Sequence, residues 1–389
     1  MKIKIISCFL CLVIIQCSKI KDIDSTDFYS IKNISSNIVE KQLNFGKIDS
    51  VFCEKRLETS FKGEYTMYND KIYFFDAAFG YLFEFDTDLN YLNRYLGIGN
   101  GPDEIFNGSL LAINFTKFIT FGSRGYINIF DAKMKKIKQF HIDWYQNRPP
   151  KEILKNPKAD FFDTYEMDFT QSCRVKLLNN NHIIIPISAS HPKFNGYFDT
   201  DLYYNYSRIL ASVNLDTGKI DTIFGRRSPE YLKKKNLPNF DHFDFDVDEN
   251  FIYINFWIDK NIYVLDKKNF NLIDVFGVEG ENMKLNYETT DKYEGTDRLK
   301  SIHLAKYGYY HSVKSISDEK LFFRIYSIGQ NSNTNRLQVY KNKILVSDIE
   351  IQKDMTVLGY SNETIFLSKT KDATADRIVI YKIKLENEI

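Results

Sequence analysis

Short apolar bursts recur along most of this chain, each bounded by turns rich in Asn, Asp, Gly or Lys. IYFF (72–75), YLFEF (81–85), YINIF (126–130), HIIIPI (182–187), FIYINF (251–256), NIYVL (261–265), LFFRI (321–325) and RIVIYKI (377–383) are β-branched and aromatic. Some alternate, as in Tyr81-Leu82-Phe83-Glu84-Phe85. Others are apolar throughout, the pattern of a strand buried on both faces. The bursts group into six units: a polar turn, a strand, a turn, a second strand and a third. They begin near Asn69, Thr116, Asn179, Glu249, Asp318 and Asn362. The turn after the second strand falls at Asp86, Asp131, Asp216, Asp266, Lys341 and Lys382. Most of these gaps lie near the roughly 40–50 residues of a four-stranded propeller blade, and two are longer.

The pattern predicts an all-β chain forming a six-bladed β-propeller. Seven blades are the alternative, with the extra one in 143–178 or 278–316. Segments 72–75, 118–121, 183–186, 252–255, 321–325 and 364–367 should occupy equivalent places around one axis. Strand-like sequence in 36–62 could supply the outer strand that closes the ring against the last unit. Helix signals are sparse. Ser228-Pro229-Glu230 opens one short helix, with a capping residue and then a proline at its start.

The N-terminus reads differently. Met1-Lys2-Ile3-Lys4 is a short positive region, and Ile5–Ile15 an apolar run with Ser7 its one polar residue, too short to span a bilayer and right for a signal-peptide core. Val13-Ile14-Ile15-Gln16-Cys17 resembles the lipobox of bacterial lipoproteins, with Gln16 where a small residue is usual. The resemblance implies that Cys17 is the lipidated first residue of the mature chain. The division is then signal peptide 1–16, lipidated tether 17–35 and propeller 36–389. Multiple acyl chains on Cys17 would anchor the protein durably to a membrane. Together with the six units and Gly97–Glu104 (GIGNGPDE), this resembles Bacteroidetes lipoproteins carrying a TolB-like six-bladed propeller. That group includes families known only as domains of unknown function, of which DUF4221 is a candidate.

Composition narrows the function classes. Lys+Arg (52) and Asp+Glu (51) nearly cancel, which removes the bulk field that nucleic acid would need. Past Cys17 only Cys53 and Cys173 remain, too few for a disulfide framework or a thiolate metal site. Whether they bridge or stay separate thiols is open. Gly97–Glu104 lacks the third glycine of a dinucleotide fingerprint, which Pro102 replaces. No HExxH, GxSxG or aspartate box occurs, and no cofactor is implied. Asp244, Asp246 and Asp248 alternate, so they could share a face and hold a cation. Glu249 stands where a calcium loop needs glycine, and a solvated loop before unit four is the other reading.

Two aromatic insertions stand out. Residues 191–208 carry Tyr197, Tyr203, Tyr204 and Tyr206, and 300–311 carry Tyr307, Tyr309, Tyr310 and His311. They either line a binding groove over the channel mouth or pack inward. The groove reading requires both insertions at one rim and at least three tyrosines exposed. The expected function is a lipid-anchored, non-catalytic binding or scaffold propeller of the cell envelope, on the periplasmic or surface side of the outer membrane. It would recognise a peptide, glycan or partner protein through loops on one face. The alternative is a glycan hydrolase or lyase with carboxylates at the channel mouth.

Overall fold

The computed structural model describes residues 31, 43–105, 110–113, 117–122, 125–144, 148–168, 175–189, 191–196, 200–234, 237, 240–289, 296–369 and 377–386. The signal segment, Cys17, Cys173 and Tyr197 lie outside them. The strands form six antiparallel sheets. After β1 (Asn44–Phe52), blade one is β2 (Gly63–Tyr68), β3 (Lys71–Asp76), β4 (Tyr81–Phe85) and β5 (Tyr91–Leu96). Blade two is β6 (Leu110–Ile113), β7 (Lys117–Phe121), β8 (Tyr126–Asp131) and β9 (Lys136–His141). In blade three, β10 (Glu166–Met167) and β11 (Lys176–Asn179) both pair with β12 (His182–Ser188), followed by β13 (Leu210–Asn214) and β14 (Ile220–Phe224). Blade four is β15 (Phe243–Val247), β16 (Phe251–Phe256), β17 (Ile262–Asp266) and β18 (Leu272–Phe276). Blade five is β19 (Tyr309–Ile316), β20 (Leu321–Ser327), β21 (Thr334–Lys341) and β22 (Ile344–Gln352). Blade six is β23 (Met355–Ser361), β24 (Thr364–Lys369) and β25 (Val379–Glu386), completed by β1.

The inner strands touch in the cyclic order β2, β6, β11, β15, β19, β23 and back to β2, so the ring closes. β1, from the far end of the chain, seals it by backbone hydrogen bonding to the last blade. It runs antiparallel to β25, with Ser50 opposite Tyr381 and Ile48 opposite Ile383. The six segments expected to be equivalent are the second strands of their blades. They are buried almost throughout, because a neighbouring sheet packs on each face. The outermost strands are more exposed, and β9 alternates between half-buried and exposed positions.

The recurrent turn residue has a structural cause. Asp86 Oδ1 accepts the Asp88 and Asn90 amides, Asp131 Oδ1 those of Lys133 and Lys135, and Asp266 Oδ1 those of Lys268 and Asn269. In blade three this role falls to Asn214, two residues before the expected Asp216. Each turn places one residue in the left-handed region: Leu89, Met134, Gly218 and Phe270, with φ between 58° and 73°.

Three expectations need correction. Among the described residues there is no seventh blade in 143–178 or 278–316: the first holds helix α1 (Pro150–Lys155), a 3-10 turn at 162–164, β10 and the start of β11. The second holds helix α4 (Thr296–Lys306) and β19. Helices are also more numerous than expected. Besides the anticipated α3 (Glu230–Lys233), whose Glu230 amide donates to Ser228 Oγ at 3.1 Å, there are α1, α2 (Thr200–Tyr206) and α4. The extra helices are too short, or too lacking in an apolar stripe, to show a 3.6-residue period. Finally, Asp244–Asp248 is not a solvated loop. Asp244 and Asp246 lie on inner strand β15 and are buried.

Candidate functional site

Strand direction alternates within each blade, so connections sort onto two faces. Turns between first and second strands, and between third and fourth, lie on one face and are tight. Connections between second and third strands, and from one blade to the next, lie on the other, and the four helices among the described residues belong to them. The insertions 191–208 and 300–311 therefore emerge at the same rim. Their tyrosines do not form the expected groove. Tyr203, Tyr204, Tyr307 and Tyr310 are at most 4% exposed. Of the described tyrosines in the two insertions only Tyr206 is well exposed, at 44%, while Tyr309 and His311 are half-buried.

These tyrosines are buried because their hydroxyls and rings find partners. Arg227 Nη2 donates to the Tyr203 hydroxyl at 2.5 Å, and its guanidinium stands 4.6 Å from the Tyr203 ring centroid. Tyr204 stacks on Tyr231, centroids 5.7 Å apart. The Gly280 amide donates to the Tyr310 hydroxyl at 3.0 Å, and Arg324 lies 4.0 Å over its ring. Tyr307 meets Phe240 edge-on. Tyr309 stacks on Trp257 at 4.6 Å, and His311 Nε2 lies 3.0 Å from Asn335 Nδ2. The helices and insertions thus form an aromatic cap continuous with the core of blades two to four. Beneath it Arg227 pairs with Asp241, whose carboxyl burial pushes up to about 6 against the pull of Arg227. Burial holds His242 down at about 3, so it is neutral where it packs against Trp257.

The central channel contains a cavity of about 250 Å³, lined by residues of all six inner strands or their immediate flanks. Asp246 projects into it, with Lys176 Nζ at 2.6 Å and Lys314 Nζ at 3.5 Å. Burial by itself would raise its pKa. The two lysines and the Ser315 amide outweigh that and hold the carboxyl well below the ordinary range. A carboxylate so strongly ionised has no proton to give a leaving group, so Asp246 does not fit the general acid of a glycosidase.

Nor do the three aspartates gather on a cation. Asp244 Oδ2 accepts the Val313 amide at 3.0 Å and Asp246 Oδ2 the Ser315 amide at 2.8 Å, so alternate carboxylates of β15 latch alternate amides of β19. Asp248 accepts from its own turn, from the Tyr253 hydroxyl and from Ser315 Oγ. Cys53 is a buried free thiol that burial pushes up.

Sequence reasoning missed a property of the helix-bearing face. Among the described residues, the exposed large apolar side chains off the outermost strands are Phe61, Phe79, Ile98, Leu154, Leu202, Tyr206 and Ile302. Every one lies in a connection on that face, and none in a tight turn of the other. Scattered over helices and loops, they leave no periodic trace in sequence.

No protein-family model matches the chain, and no curated protein matches it. Solved structures do. A member of the DUF4221 family from Bacteroides vulgatus superposes with a TM-score of 0.62 at 13% identity, covering 90% of this chain and all of that one. A protein of Bacteroides fragilis assigned as exported gives 0.54 at 10% identity, covering 90% and 99%. BamB from Moraxella catarrhalis gives 0.40 at 9%, covering 92% and 99%. The chain is a six-bladed β-propeller. Its likeness to the DUF4221 structure agrees with the resemblance read from the sequence, and at this identity what it carries is the fold.

Proposed function

We propose that this chain is a non-catalytic docking propeller of the cell envelope, anchored through a lipid on Cys17, that binds a partner protein on its helix-bearing face. The observation that carries the reading is that the exposed large apolar side chains off the outermost strands, among the described residues, are confined to that face. Single exposed apolar residues are ordinary on any surface. Here seven fall on one side of a disc, and the tight-turn side has none among its described residues. A protein partner with an apolar surface would bury them. The buried tyrosines beneath hold the helices rigid, so little ordering entropy is lost on docking. The signal-like segment 1–16 and the likeness to a Bacteroides fragilis protein assigned as exported support envelope residence.

Two measurements test the reading. Fatty-acid labelling should mark the wild type and not Cys17→Ala, and the variant should leave the membrane fraction; unlabelled wild type that stays with membranes removes the anchor. Photo-crosslinkers at Leu154, Leu202 and Ile302 in intact cells should trap one discrete protein. Crosslinkers at Asp88 and Lys343, on the tight-turn face, should not. Equal trapping from both faces, or none from the helix-bearing face, sinks the docking reading.

A further inference from the structure

The tight-turn face carries a second feature, a cleft of about 820 Å³ between blades three and four. Its volume falls within the roughly 300–1,000 Å³ of small-molecule pockets. Residues of β11, β12 and β14 form one wall, and the turns around β16 and β17 form the other. His182 organises the first wall. Its Nε2 lies 2.8 Å from Asp221 Oδ2 and its Nδ1 3.1 Å from Asn179 Oδ1, so one ring fixes a carboxylate and an amide side by side. Asn214 Nδ2 lies near both His182 and Asp221. The second wall offers Glu249, Phe251 and Phe270. Phe270 is held in the left-handed region with φ 60°, and stacks on Phe224 with centroids 4.0 Å apart. That conformation is the one shared by the equivalent turns of the other blades, and here it leaves a half-buried aromatic ring at the cleft.

We infer that this cleft binds a neutral, polyhydroxylated ligand, a short glycan. The chemistry points that way on three counts. Carboxylate and amide groups pre-set by His182 can bond vicinal hydroxyls in pairs, with geometry already paid for in the free protein. Half-buried Phe251 and Phe270 offer apolar surfaces suited to the C–H faces of a sugar ring. Asp221, Glu249 and Asp266 face Lys267 and Lys268, and Lys267 Nζ already donates to the Asp248 carbonyl at 2.7 Å. The wall charges therefore nearly cancel. That leaves no strong field for a phosphorylated or polycationic ligand.

The site lies on the face opposite the proposed protein-docking surface and stands or falls without it. The test uses the full-length chain in detergent, titrated with neutral hexose and N-acetylhexosamine oligosaccharides, acidic oligosaccharides and short peptides, read by saturation-transfer NMR and calorimetry. The expected result is binding of at least one neutral oligosaccharide. It should weaken at least tenfold in Asp221→Asn and in Glu249→Gln, and stay unchanged in Leu154→Glu on the other face. Both cleft carboxylates are well exposed, so these variants should fold, and circular dichroism checks it. Binding of peptides or acidic glycans alone, no binding at all, or neutral-glycan binding indifferent to both cleft variants would overturn the inference.

Discussion

The two faces of the ring carry opposite signals. The helix-bearing face holds the tyrosine-rich insertions that look like a recognition surface in sequence, yet most of their tyrosines are buried and bonded. The tight-turn face has short, polar, unremarked turns, yet two of its blades frame a roomy cleft. Aromatic density along a chain therefore reports how much core an insertion must build. A long connection needs its own apolar partners to be ordered, and Tyr supplies them wherever its hydroxyl finds a donor or acceptor.

If this contrast holds, substitutions on the two faces should differ most in stability. The largest effect is expected at the buried pair beneath the cap. Arg227→Ala removes the ion-pair partner of buried Asp241 and a donor to Tyr203, which should cost about 3–5 kcal/mol in denaturant unfolding. Tyr204→Ala and Tyr307→Ala leave ring-sized voids and should cost about 3–5 kcal/mol each. Melts within a degree of wild type would return these tyrosines to the surface and restore the groove.

On the tight-turn face Gly218 is a demanding backbone position, because space as well as conformation excludes a side chain there. Gly218 has φ 73°, and a Cβ there would come within 2.7 Å of Phe140, so Gly218→Ala should cost about 1–3 kcal/mol. The side chains of the same face should be tolerant. Asp221→Asn and Glu249→Gln, like Tyr206→Ala at the exposed edge of the cap, should each shift stability by less than about 0.5 kcal/mol. A loss above 2 kcal/mol in Asp221→Asn would make the His182 array a structural strut.

Between the faces, the channel sets an acid response. Because the folded chain holds Asp246 below its unfolded value of about 3.9, the unfolded chain binds the proton first as pH falls. The contribution is fully present above about pH 4 to 5 and is lost on further acidification. Unfolding midpoints measured from pH 7 to 3 should fall more steeply in wild type than in Asp246→Asn, which starts lower. Parallel curves would mean that Lys176 and Lys314 do not stabilise the charged form.

Some of this was legible beforehand and some was not, for reasons that individual strands show. β3, β16 and β20 declare themselves as dense apolar runs, interrupted only at Asn255 in β16 and Arg324 in β20, because each is sandwiched between neighbouring blades. The inner strands do not. β15 reads Phe-Asp-Phe-Asp-Val, and its aspartates look like a wet loop until β19 of the next blade brings the amides of Val313 and Ser315 against them. β19 likewise sits inside what looked like an insertion, because Tyr309, Tyr310 and His311 open an inner strand. The cleft was invisible for the same reason: His182, Asp221 and Glu249 are far apart in sequence and belong to two blades.

The sequence by itself determined the all-β class, the six-unit repeat, the closing role of the N-terminal strand and the near-zero charge. All of these depend on local periodicity, turn chemistry and composition, which a linear chain displays directly. Which face is capped, which tyrosines are buried, and where carboxylates meet lysines, amides or open space were decided only when the ring closed. Burial and pairing are properties of neighbours, and in a propeller each blade's decisive neighbours come from the next blade.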